Sequence, residues 1–302
     1  MRQSTVSMTR KNTNVERWWL AVFLAIFAPA AVLAGGPPQQ SDTFYTSRTP
    51  HISVTNLRGT VIIQGWEKPQ VHAIYVIASP RIEVDKDKTP PAGQAERVGL
   101  ETHLLDSQLQ GQKARVDYTL EVPVGSSLEV RNPQGLVRIE RVQGDTWVES
   151  VGGEIDIIDS SGDIVAQSVG GTIQIIRPSG PVEASSVTGN LSFVSPSSDH
   201  IRARTTSGKI LYQGNMEAAG EYVMSSYNGD INILCPPSAS FDLNARSVRG
   251  KLINELQLTR RSHHPSVSFY GNSLFGTHNQ GAATLELTSY SGSISIEPEP
   301  HQ

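Results

Sequence analysis

The segments GDTWVESVG (144–152), GEIDIIDSS (153–161), GDIVAQSVG (162–170), GTIQIIRPS (171–179) and GPVEASSVT (180–188) are consecutive nine-residue units, each opening on glycine. Gly135 and Gly189 extend the series on either side. Two residues after each glycine stand Val137, Thr146, Ile155, Ile164, Ile173, Val182 and Leu191, and two further on stand Ile139, Val148, Ile157, Ala166, Ile175, Ala184 and Phe193. This alternation is the period of a half-buried strand. Alternate units match best: V-E-S-V-G-G, A-Q-S-V-G-G and A-S-S-V-T-G begin at Val148, Ala166 and Ala184. The repeat is therefore 18 residues long, two strands per coil, with the core S-x-x-G-x-I-x-I. Looser copies follow at Thr205/Gly208, Ser226/Gly229, Ser247/Gly250 and Ser289/Gly292, spaced by 19, 21, 21 and 42 residues.

A strand of four or five residues with one apolar face buries that face only by stacking on its own copies. The sequence predicts an all-β, single-chain β-solenoid of two-strand coils, with 18 to 21 residue repeats over 135–297. Glycine at the corner is expected to supply a positive φ. Stacking at about 4.8 Å turns each aligned column into a ladder: hydroxyls at Ser150, Ser168 and Ser186, alternating charge at Arg141, Asp159 and Arg177, and Arg138 before Asp156. Residues 254–280, with Arg260, Arg261, His263 and His264, read as an inserted loop or hairpin, and 298–302 as a tail.

Before Gly135 the strands lengthen, and 51–134 is expected to cap the stack and cover its open edge. Residues 35–50 read as a flexible linker. The first 34 residues read as a signal peptide: Arg2, Arg10, Lys11 and Arg17 precede an uncharged run from Trp18 to Ala34, with small residues before a cut at Gly35. An uncleaved anchor is the rival reading, although the run is short for a span and contains Pro29. Either reading places the remainder outside the cytoplasmic membrane, in the periplasm, envelope or extracellular space. Removing this segment takes away four bases and one acid and shifts the formal charge from -4 to -7. A mildly acidic chain without a basic stripe is not expected to bind nucleic acid. The single cysteine, Cys235, has no disulfide partner within the chain and ends an apolar run, so it reads as a small buried hydrophobe.

No G-x-S-x-G, H-E-x-x-H or P-loop pattern occurs. Glu154, Asp156 and Asp159 share one coil, but their alternation with inward residues points Glu154 and Asp156 to solvent, away from any cleft. Asp145 and Asp163 share a column, yet nothing supplies the further oxygens a calcium ion needs. Adjacent His263 and His264 point to opposite faces of an extended segment. No catalytic residue, cofactor or metal is expected. The candidate partner surface is the column Ile158, Ile176 and Val194, apolar in three successive coils, with Trp147 as a second feature able to stack on a sugar ring.

The stretch NLRGTVIIQGW (56–66), then DYTLEVPVG (117–125), then the S-x-x-G-x-I-x-I repeats, resembles a bacterial family of exported β-solenoid domains known as putative adhesins, related to toastrack domains of envelope-stress proteins. The likeness covers roughly 52–296. It implies a shape and a location and carries no set of functional residues. The expected function is that of a non-catalytic envelope or surface module contacting an envelope protein or a glycan. An envelope-stress sensing or scaffolding component is the alternative, and a polysaccharide-active β-helix enzyme the third.

Overall fold

The computed structural model describes residues 39–106, 108–259 and 272–299. The expected signal segment, His263 and His264 lie outside them. Among the described residues the chain forms 23 strands and one 3-10 turn, Gly111–Ala114. The four-residue strands carry the burial pattern expected from the sequence, with Ile155, Ile157, Ile173, Ile175, Leu191 and Phe193 fully inside and the residues between them half-exposed.

The strands form two parallel ladders. The first runs in the order β3 (Gln70–Ile77), β6 (Val116–Pro123), β2 (Val61–Trp66), β8 (Val137–Glu140), β10 (Ile155–Ile158), β12 (Ile173–Ile176), β14 (Leu191–Val194), β16 (Ile210–Gln213), β18 (Ile231–Cys235), β23 (Ile294–Pro298) and β20 (Leu252–Asn254). The second runs β4 (Ile82–Thr89), β5 (Ala95–Leu104), β1 (Gln39–Thr55), β7 (Ser127–Arg131), β9 (Thr146–Ser150), β11 (Ile164–Ser168), β13 (Val182–Ser186), β15 (His200–Thr205), β17 (Glu221–Ser226), β22 (Ala283–Ser289), β19 (Phe241–Ser247) and β21 (Asn272–His278). Each coil gives one strand to each ladder, and β1 joins the ladders: Gln39–Tyr45 pairs antiparallel with β3, and His51–Thr55 lies parallel between β5 and β7.

Residues 39–50, expected as linker, are thus strand. The reason is a partner for their polar side chains: Asp42 accepts from Tyr75 and Lys86, the latter at 2.7 Å. The stack also begins before Gly135. Coil β1–β2 carries N-L-R-G at 56–59, and coil β7–β8 carries N-P-Q-G at 132–135. Asparagine replaces serine there and donates from its amide to a carbonyl of the adjoining coil, Asn56 to Val116 O at 2.9 Å and Asn132 to Gly59 O at 2.9 Å.

At both ends chain order and spatial order differ. Coil β1–β2 sits between β5–β6 and β7–β8, and the last coil in sequence, β22–β23, is inserted between β17–β18 and β19–β20. Antiparallel β3 and β4 close one end, and β21 with the 255–259 segment, through Thr259 and Thr277, closes the other. The unequal spacings in the sequence follow from this rearrangement and from longer return turns. Tyr212 and Tyr222 fill the widened turn at 214–220, their rings meeting edge to face at 5.5 Å, with hydroxyls bonded to Asn215 O and Ser198 O.

The corner glycines meet expectation in part. Gly59, Gly135, Gly162 and Gly180 have positive φ, but Gly153, Gly171, Gly189, Gly208, Gly229, Gly250 and Gly292 do not. Glycine is required at those seven because a Cβ would lie 1.7 to 2.0 Å from the carbonyl oxygen of the equivalent glycine one coil away. The Ser or Thr three residues earlier accepts a hydrogen bond from each of these glycine N–H groups at 2.7 to 3.0 Å.

Candidate recognition surface

In-register stacking fixes where every outward residue stands. Ile158, Ile176 and Val194 form one column on the first ladder, flanked by Glu140 and Gln213, and all three are half-buried. Trp147 stands on the second ladder between Glu129 and Val165, half-buried, with the Arg131 guanidinium 5.0 Å from its ring centroid. The two ladders are different faces, so the structure does not bring Trp147 together with the isoleucine column.

The charged columns are structural. Arg177 donates to Asp159 through Nε and Nη2 at 2.6 and 2.7 Å, which holds the Asp159 carboxyl below the usual carboxylate range. Arg138 lies in register with Asp156 but donates instead to Glu140 at 2.7 Å. Burial, with the nearby Glu154 charge, raises the Asp156 pKa. Asp145 accepts from the backbone N–H of Asp163 at 3.1 Å and so pins one coil to the next. His278 is buried against Phe241 and bonded to Gln257 O. Cys235 is fully buried, and burial pushes its thiol up to about 12. Among the described residues no three His, Cys, Asp or Glu side chains are grouped so as to hold a metal ion.

The most continuous apolar feature lies at the serine corner. The residue after each corner Asn, Ser or Thr points outward, and in spatial order these are Leu57, Pro133, Val151, Val169, Val187, Thr206, Tyr227, Tyr290 and Val248. Nine large apolar side chains are exposed among the described residues, and six stand on this line: Leu57, Val151, Val169, Val187, Tyr227 and Val248. Small residues flank the valines on one side, Gly152 and Gly170 among them, and leave the side chains proud of the backbone. With coils about 4.8 Å apart the nine positions span about 38 Å. This ridge was visible in the sequence as the residue following each serine of the repeat. Alternation within strands does not reveal it, because a corner has no strand period.

The molecule is thus a closed-core β-solenoid whose outer features are ladders and a ridge. No family model matches the chain, and no curated protein matches it. Its fold is similar to solved structures of low identity. A putative adhesin from Bacteroides fragilis NCTC 9343 is 10% identical, with 86% of this chain and 97% of that one covered and a TM-score of 0.44. A putative adhesin from Parabacteroides distasonis ATCC 8503 is 9% identical, with 87% and 97% covered and a TM-score of 0.41. A putative cell adhesion protein from Clostridium sporogenes ATCC 15579 is 10% identical, with 87% and 100% covered and a TM-score of 0.29. No residue role or ligand is carried over from them.

Proposed function

We propose that this protein is a non-catalytic, exported recognition module of the cell envelope or surface that contacts a partner protein along its serine-corner ridge. One observation carries the reading: six of the nine exposed large apolar side chains among the described residues fall on a single line. Contiguous exposed apolar surface of this kind marks interaction sites. The backbone beneath it is tied by a hydrogen bond at each serine or threonine corner, which lowers the ordering cost on binding. Export rests on the basic and apolar pattern of the first 34 residues.

The test uses the chain beginning at Gly35, immobilised and exposed to envelope extract. Val151→Lys and Val169→Lys place charge on exposed positions and are expected to leave the melting temperature unchanged while lowering recovery of captured protein at least about tenfold. Ile158→Asp with Ile176→Asp is the companion variant. Loss of capture in that variant alone moves the contact to the first ladder. Equal recovery from all variants removes both surfaces. Export is checked by the amino terminus of the protein recovered outside the cytoplasm, expected at Gly35.

A further inference from the structure

The ridge changes character at its aromatic step. Tyr227 and Tyr290 occupy neighbouring coils, and their rings stack with centroids 4.6 Å apart and planes 4° from parallel. The Arg249 guanidinium, from the coil beyond, sits 5.1 Å from the Tyr290 centroid. Tyr290 is therefore covered from both sides and half-buried, whereas Tyr227 is 52% exposed. On its other side the next coil offers Thr206, an exposed residue with a side chain much shorter than a tyrosine. One tier of the stack is vacant where an aromatic residue at 206 would fill it.

Polar groups beside that tier have spare hydrogen-bonding capacity. Asn228 is exposed and its Oδ1 accepts from the Ser291 hydroxyl at 2.8 Å, while its amide N–H groups have no hydrogen-bond partner among the described residues. Among the described residues the side chains of Thr206 and Ser207 have no hydrogen-bond partner, and both residues are exposed. A flat apolar face bordered by free hydroxyls and an amide suits a ligand with one C–H face and a rim of hydroxyls. We infer that Tyr227, with Thr206, Ser207 and Asn228, forms a subsite for a pyranose ring of a neutral glycan, which takes the vacant tier of the tyrosine stack. An aromatic side chain from a partner would use the ring face alone and leave the three polar groups idle. The subsite rests on reading the ridge as a recognition surface, but it uses the tyrosine step and not the valines.

The chain from Gly35 is to be tested on an array of linear gluco-, manno- and N-acetylglucosamine oligosaccharides, with affinities of the responders measured by titration. Wild type is expected to bind at least one series weakly. Tyr227→Phe should bind within about threefold of wild type, and Tyr227→Ala should lose at least about tenfold, the scale of a lost stacking contact. Thr206→Tyr keeps the fold and fills the vacant tier, so it should abolish binding while raising the melting temperature. Absence of binding by wild type to every oligosaccharide overturns the subsite, as does undiminished binding by Tyr227→Ala or Thr206→Tyr. Retention of protein capture with no sugar binding would remove this inference alone. Sugar binding that survives Val169→Lys, with no protein captured by any form, would remove the protein reading alone.

Discussion

The two turns of each regular coil solve the same problem in opposite ways. At the serine corner, successive backbones approach so closely that a Cβ on Gly171 would fall 1.7 Å from Gly153 O and 2.6 Å from its carbonyl carbon. At the turn that leaves the first ladder, the equivalent positions are Arg141, Asp159, Arg177 and Ser195, all left-handed with φ between 48° and 57°. The first turn has ordinary dihedrals and no room for a side chain. The second tolerates four non-glycine residues in a conformation that disfavours them, and keeps glycine three residues on, where Gly162 and Gly180 have positive φ and a Cβ would lie 2.9 and 2.6 Å from the adjoining coil. Contact between coils decides the glycines of the serine corner, and contact together with a positive φ decides Gly162 and Gly180 at the opposite turn.

Gly171→Ala should break this comparison most severely. The methyl group meets backbone, which cannot rotate away, so two coils must separate and the ladder hydrogen bonds around them lengthen. Loss of about 4 kcal/mol or more is expected, or failure to fold, measured by urea unfolding. A cost below about 1 kcal/mol would show that the coils slide freely and that glycine recurs for another reason. Ser168→Ala comes next. Its hydroxyl accepts from Gly171 N–H at 2.8 Å in a buried corner, and removing it leaves that donor without a partner. The expected cost is about 1 to 3 kcal/mol, with Ser168→Thr retaining most of the stability, as Thr205 does at the same column.

The contrast also explains how much could be read before the structure. Coils from Thr146 to Val194 were legible because each combines two sterically fixed features, an inward alternation and a glycine with no space for Cβ. The ends were not, because their order in space depends on pairings between strands distant in sequence. Nothing local to Leu252 or Ile294 says that β23 lies inside β20. The Asn56-x-x-Gly59 and Asn132-x-x-Gly135 corners were a usable signal, since asparagine can stand where serine stands. They fall outside the repeat when its corner is defined by serine or threonine alone. The isoleucine column was found by strand period and is half-buried, whereas the more exposed ridge lay one residue past the strand.

Asp156 sharpens the comparison at the level of charge. Its neighbour column pairs Arg177 with Asp159 by two hydrogen bonds, but Arg138 turns toward Glu140 and leaves Asp156 Oδ1 buried without a partner. Burial and the Glu154 charge raise the Asp156 pKa above its ordinary value of 3.8, with Arg138 opposing them. A carboxyl raised on folding binds protons more tightly in the folded state, so its ionised form subtracts stability. That subtraction is complete at neutral pH and fades as pH falls through the raised value toward 3.8. Asp156→Asn should accordingly raise the melting temperature at pH 7, with the gain shrinking steadily as pH falls through the raised pKa. A gain that is independent of pH, or a loss at pH 7, would contradict this account.

The smallest effect belongs to the left-handed turn. Ser195 is exposed with φ 48°, and its N–H donates to Gln213 O at 2.7 Å, so only its side chain is free to change. Asparagine enters the left-handed region more readily than serine because its short amide bonds locally to backbone. Glycine relieves more strain but adds freedom to the unfolded chain, which offsets the relief by about 0.4 to 1 kcal/mol. Ser195→Asn is therefore expected to stabilise by about 0.5 kcal/mol and Ser195→Gly to be nearly neutral. Asparagine at position 171 would by contrast be strongly unfavourable, since any side chain there meets the Gly153 carbonyl. If Ser195→Asn instead costs as much as Ser168→Ala by urea unfolding, the left-handed turn is held by contacts of the serine side chain, and the two corners are alike in being fixed by packing.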